Sequence, residues 1–144
     1  QQPVHLFVSA REAPHRPPPL PPLAHLPHGE LVKEVRVRYG GIPDEVLAEP
    51  ELLELLVPIL RADLSVLESY AHRVEEPLDC PVSCLSGEED RQLTREDLEG
   101  WRQHTRRAFT LRVLPGGHFF VNEDAGTRVL RAAITEDLRA WLRT

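Results

Sequence analysis

Two residues of this 144-residue chain stand where acid–base chemistry could be done. His118 lies in Pro115-Gly-Gly-His-Phe-Phe120, on a turn after a strand-like run, and Asp90 ends Gly87-Glu-Glu-Asp90, on a turn after the strand-like run before it. A carboxylate bonded to an imidazole fixes the tautomer of the ring and stabilises the imidazolium formed when the ring takes a proton from a hydroxyl nucleophile. Taken singly, an aspartate in a turn is usually a turn former and a lone histidine a surface or structural residue. Their paired placement after consecutive strands tips the balance toward function. Glu88 and Glu89 compete for the acid's role, but Asp90 stands three residues past the strand-ending glycine, in a G-x-x-D pattern. Gly116 and Gly117 free the turn to present the ring, and Phe119 and Phe120 anchor the chain just beyond it.

The elements around the pair set its geometry. Val4 to Ser9 mixes Val, Leu and Phe on both faces, which suits a strand buried on both sides of a sheet. Half of positions 14 to 27 are proline, so Glu12 to Pro27 is read as an extended connector. Gly29 to Arg38 is read as a helix closed by Gly40-Gly41. Ile42-Pro43-Asp44 opens a short helix, and Pro50 starts another at its first-turn position. From Leu52 to Leu67 the leucines cover more than one helical face, as core on several sides or as one wall of an apolar cavity, and Pro58 is expected to kink or split the helix. Pro81 to Ser86 is a short strand. Thr94-Arg-Glu-Asp97 resembles a capping box leading into a helix that buries Leu98 and Trp101. Phe109, Leu111 and Val113 alternate with Thr110 and Arg112, giving a strand with one polar face near a sheet edge. Val129, Leu130, Ala133, Ile134, Leu138, Trp141 and Leu142 recur at helical spacing and cover the sheet.

Strand, helical insertion, strand, helix, strand, helix is the order of an α/β fold with parallel strands joined by right-handed crossovers. In such a sheet the functional edge lies at the strands' C-terminal ends, where both Asp90 and His118 fall. In the α/β-hydrolase fold a serine, an acid and a histidine succeed one another along the chain in that order. No G-x-S-x-G occurs from Gln1 to Thr144. The chain therefore reads as the C-terminal part of an α/β-hydrolase. The serine and both oxyanion-hole amides are expected before Gln1, the serine in a G-x-S-x-G roughly 20 to 40 residues upstream. Alone, the 144 residues are expected to be inactive and poorly stable, with an unpaired sheet edge.

Composition narrows the partners. Acidic residues outnumber basic ones 23 to 17, for a net charge of −6, which argues against nucleic acid. No apolar run reaches the roughly 18 residues of a membrane span, and Gln1 to Ala10 lacks the charged start of a signal peptide, so a cytoplasmic protein is the expectation. Four residues of strand would hold Cys80 and Cys84 about 13 Å apart, too far for a disulfide. Two thiols with no further ligand also fall short of a zinc site, and His15, His25 and His28 cluster only in the proline-rich stretch. Neither a metal nor a cofactor is expected.

Six segments in order also resemble one family. They are His5-Leu-Phe-Val-Ser-Ala-Arg-Glu-Ala-Pro14, Leu26-Pro-His-Gly-Glu-Leu-Val32, Gly40-Gly-Ile-Pro43, Glu51-Leu-Leu-Glu-Leu-Leu-Val-Pro-Ile-Leu-Arg-Ala-Asp63, Leu78-Asp-Cys-Pro-Val82 and Pro115-Gly-Gly-His-Phe-Phe120. Together they are similar to the C-terminal part of the type II thioesterases of polyketide and nonribosomal peptide assembly lines. The resemblance implies an α/β-hydrolase with a helical lid inserted at residues 28–73. It implies cleavage of acyl thioesters from the phosphopantetheine arm of acyl or peptidyl carrier proteins, with Asp90 as triad acid and His118 as triad base. Relatives often show two adjacent aspartates and a proline where this chain has Glu89, Asp90 and Arg91.

Three rivals remain: another serine hydrolase of the same scaffold, such as a carboxylesterase, peptidase or fatty-acyl thioesterase; a hydrolase-like protein without catalysis; and an interaction module. The last rests on Arg16-Pro-Pro-Pro-Leu-Pro-Pro22, which fits the R-x-x-P-x-x-P pattern of an SH3-binding polyproline helix.

Overall fold

The computed structural model describes residues 3–18 and 20–142, so Pro19 of the polyproline segment lies outside the described residues. The chain divides into two compact units, Gln1–Pro17 with Arg73–Thr144, and Pro18–His72.

Among the described residues the first unit carries three parallel strands, β1 (Leu6–Ser9), β2 (Val82–Gly87) and β3 (Phe109–Leu114), in the spatial order β1-β2-β3. β1 is shorter than the run from Val4 suggested. Leu6 faces Val82 and Val82 faces Phe109, so Ser9, Leu85 and Arg112 share one row across the sheet. All six residues of β2 are buried, as in a central strand covered on both faces. Helices are numbered in chain order through both units, and this unit holds the last two.

The crossover from β2 to β3 holds α4 (Arg95–Glu99) and a 3-10 turn, Gly100–His104. The capping box forms as read: Thr94 Oγ1 accepts from the Asp97 N–H at 3.2 Å, and Asp97 Oδ2 accepts from the Thr94 N–H at 3.0 Å. Burial acts to raise the Asp97 pKa, but the hydrogen bonds from Thr94 and the Arg16 guanidinium outweigh it and hold the carboxyl below its ordinary value. The helix is a single turn, and Trp101 falls beyond it. Leu98 is buried, while Trp101 is half-buried with its indole Nε1–H donating to the Arg11 carbonyl at 2.9 Å.

The C-terminal helix α5 (Asp124–Trp141) covers the other face, packing Ala133 and Leu130 against Leu85, Leu114 and Phe120. Here β3 departs from expectation. Val113, placed on the apolar face, is 54% exposed, whereas Arg112 of the polar face turns beneath α5. The reason is that α5 brings two carboxylates, Asp137 at 2.5 Å and Glu136 at 3.3 Å, to that guanidinium. Pairing across the layer replaces water.

The second unit is helical, with α1 (His28–Tyr39), α2 (Asp44–Ala48) and α3 (Pro50–Ser69). Gly40 ends α1 at φ 70°, a left-handed conformation that favours glycine. Leu23, Leu31, Val32, Val35, Ile42, Val57 and Leu64 make its core. The proline-rich connector has few N–H groups to satisfy; those of Leu23 and Ala24 donate to the Glu68 carboxylate, and the Ala24 carbonyl accepts from Arg61.

α3 runs as one helix through Pro58, so of the expected kink or split the split does not occur. A proline removes one intrahelical bond, and buried Val57 and Leu64 on either side keep the helix docked on its core. The leucines do not form core on several sides: Leu55 is 69% and Ile59 59% exposed.

Candidate active site

The rim at the C-terminal ends of β2 and β3 is built by main-chain bonds that outlast the strands. The Glu88 N–H donates to the Leu114 carbonyl at 2.8 Å, and the Glu89 N–H to the Gly116 carbonyl at 3.0 Å. The loop after β2 and the loop after β3 are thereby joined. Gly87 permits this closeness, because a Cβ there would lie 2.2 Å from the Gly117 carbonyl oxygen and 2.3 Å from that of Gly116. Gly116 itself has φ 109°, where a side chain is strained.

Asp90 comes next, in a turn closed by its N–H on the Gly87 carbonyl at 3.2 Å. Its Oδ1 accepts from the Gln92 N–H at 3.0 Å, an Asx turn that holds the carboxylate in one orientation. Its Oδ2 lies 2.9 Å from His118 Nδ1. The Asp90 side chain is 0% exposed and that of His118 19%. An ionised carboxylate only accepts, so Nδ1 carries the proton, and in the neutral ring the lone pair then sits on Nε2. Such an imidazole can take a proton at Nε2 while the buried carboxylate offsets the charge that forms.

The ring of Phe119 meets the imidazole edge-on, with centroids 5.1 Å apart and planes at 85°. Phe120, fully buried, plugs the turn into the core beneath α5, whose Gly126 lies so close that a Cβ would meet the Phe120 carbonyl oxygen at 2.1 Å.

The structure thus brings Asp90 and His118 together, while Glu88 and Glu89 point their side chains to solvent. Both cysteines are buried and free, and burial pushes the Cys84 thiol up to about 12. A surface groove of 540 Å³ on the helical unit, lined by Val57, Pro58, Arg61 and Ala62 among others, includes neither member of the pair.

Two features escaped the sequence reading. One is a polar cluster under α5: Ser83 Oγ donates to Asp137 Oδ2 at 2.7 Å, so His5 Nε2–H, at 2.9 Å, donates to the serine. Burial holds His5 below its usual pKa, Asp137 opposes that, and Arg112 adds to it. The other is Glu123, whose carboxylate accepts from the Gly117 N–H at 3.2 Å. No periodicity marks either, because each depends on contacts between separate elements.

A parallel sheet layered with helices, carrying a buried carboxylate–imidazole pair on the rim at its strand ends, is the arrangement of an α/β-hydrolase. The Thioesterase domain family matches residues 1–136, and the chain belongs to that family. The gramicidin S biosynthesis protein GrsT of Aneurinibacillus migulanus is 41% identical over 121 residues, covering 84% of this chain and 47% of that protein. Among solved structures, the RedJ thioesterase from the prodiginine pathway of Streptomyces coelicolor superposes with a TM-score of 0.84 at 35% identity, over 93% of this chain and 52% of RedJ. The type II thioesterase BorB from the borrelidin biosynthetic cluster gives 0.75 at 33% identity, over 96% of this chain and 54% of BorB. The chain spans about half the length of the curated relatives it matches.

Proposed function

We propose that the protein hydrolyses acyl thioesters held on the phosphopantetheine arm of acyl or peptidyl carrier proteins, releasing or editing intermediates of nonribosomal peptide or polyketide synthesis. The observation that carries this reading is the 2.9 Å contact between His118 Nδ1 and the wholly buried Asp90 carboxylate. The family match and the relatives from gramicidin S and borrelidin biosynthesis support it.

In this reading the 144 residues form the C-terminal part of the hydrolase domain, with the nucleophilic serine and the oxyanion-hole amides supplied by sequence outside them. His118 Nε2 takes the serine proton as the oxygen attacks the thioester carbonyl. The C–S bond breaks, and the imidazolium gives its proton to the departing pantetheine thiolate, which leaves as the thiol. Water, deprotonated by the same nitrogen, then cleaves the acyl-enzyme to the free acid and regenerates the serine. Throughout, Asp90 holds the ring in the tautomer that leaves Nε2 basic. We assign helices α1 to α3 as the lid, whose uncovered leucines would take up acyl chain at about 0.8 kcal/mol per buried methylene. A cytoplasmic location fits this role; among the described residues no helix is long and apolar enough to cross a membrane.

The test is turnover by the complete protein of acyl-pantetheine beside the matching oxygen ester. Preference for the thioester, lost in His118→Ala, is the expected result; preference for the oxygen ester would turn the assignment toward a carboxylesterase.

A further inference from the structure

Four contacts among the described residues anchor the turn that presents His118. Two are the main-chain bonds across to the loop after β2, and a third is the Phe120 N–H donating to the Gly117 carbonyl at 3.1 Å. The fourth is a side chain. Glu123 Oε1 accepts the Gly117 N–H at 3.2 Å, and Oε2 fills the space where a Cβ of Gly116 would stand, 2.7 Å away. Glu123 is itself fixed at the start of α5: its N–H donates to the Phe120 carbonyl at 3.2 Å and its carbonyl accepts from the Thr127 N–H at 2.8 Å.

We infer that Glu123 is a positioning residue for the histidine, setting the Gly116–Gly117 peptide plane, one peptide removed from His118, as Asp90 sets the plane of the ring. The peptide linking Gly117 to Gly116 sits between two glycines and has no side chain to restrain its rotation. A flip of that peptide would turn the Gly117 N–H away and change ψ of Gly116 and φ of Gly117, the torsions through which the chain reaches His118. A carboxylate acceptor on the next helix selects one orientation and is the stronger for being charged. Because the anchor acts one residue before the ring, it governs where Nε2 points without touching the reacting atoms. The two supports are complementary: Asp90 fixes rotation of the ring, and Glu123 fixes the main chain from which the ring hangs.

The inference rests on the reading of Asp90 and His118 as a catalytic pair, and two readouts on the complete protein keep the two apart. In turnover of acyl-pantetheine, Glu123→Ala is expected to lower kcat roughly three- to tenfold with little change in KM, as loss of one hydrogen bond predicts. Glu123→Gln, which keeps an acceptor oxygen, is expected to restore most of that loss. In proton NMR, the downfield signal of His118 Nδ1–H should be absent in His118→Ala, broadened or shifted in Glu123→Ala, and near its wild-type position in Glu123→Gln. This second readout needs no substrate, so it holds even if the proposed reaction fails. An Ala variant with wild-type kcat and an unmoved signal overturns the inference. So does a Gln variant that falls as far as the Ala variant by both measures.

Discussion

The two compact units hold themselves together by different means. In the sheet unit, every residue of β2 is buried and the loops beyond it are stitched by main-chain bonds to neighbours remote in sequence. In the helical unit, α3 buries only Val57 and Leu64 completely and turns Leu52, Leu55, Ile59 and Leu67 outward. On the function proposed, the difference separates two tasks. A proton-transfer pair loses its geometry with displacements of about an ångström, so it sits where backbone bonds define position. On that same reading, side chains of α3 packed on one face only would leave the other face to accommodate acyl groups of several shapes.

The comparison breaks most visibly at the rim. In the complete enzyme His118→Ala should lower kcat by about 10⁶-fold and Asp90→Asn by about 10⁴-fold, read as thioester turnover. Wild-type rates in either would mean that the main-chain frame presents a pair with no catalytic task. A smaller effect contrasts the two faces of α3. Leu64→Ala, in the helical core, should cost about 2–4 kcal/mol in denaturant unfolding, whereas Leu55→Ala should stay within about 0.5 kcal/mol. Equal losses would show that the outward face is covered in the protein in solution.

Next in size is the cap of α4. Since the folded pKa of Asp97 is depressed, its contribution is present above the unfolded carboxylate pKa and lost as pH falls through the folded value. Asp97→Asn should therefore destabilise the protein by about 1 kcal/mol at neutral pH, and the gap to wild type should close in acid. A gap that persists at the lowest pH would assign the effect to packing rather than charge. The smallest effect concerns Cys84. With its thiol pushed up to about 12, it should alkylate far more slowly in the native protein at pH 8 than after unfolding.

Much of this was legible from local signals. The glycine that ends α1, the proline that starts α3 and the capping box of α4 are short-range devices, and each formed as read. Asp90 and His118 were legible because parallel strands bring consecutive C-terminal ends to one rim. What escaped was decided at long range. Arg112 looked solvent-facing until α5 delivered Asp137 and Glu136 to it, and Pro58, expected to kink or split its helix, does not split it where core contacts hold the residues on either side. Trp101 was assigned to a helix that stops short of it. Glu123 bears no mark in the sequence, since its value lies in a glycine amide that only the fold turns toward it.

Glu88 and Glu89 carry a consequence of their own. It is their amides, shared by almost every amino acid, that fasten one loop to the other, while their carboxylates stand in water. The electrostatic potential at the mouth of the site can thus be rewritten, from acidic to neutral to basic, by ordinary substitutions that leave the hinge-free frame intact. The charge on this rim and the placing of the Asp90–His118 pair are adjustable independently, although the atoms concerned belong to the same two residues.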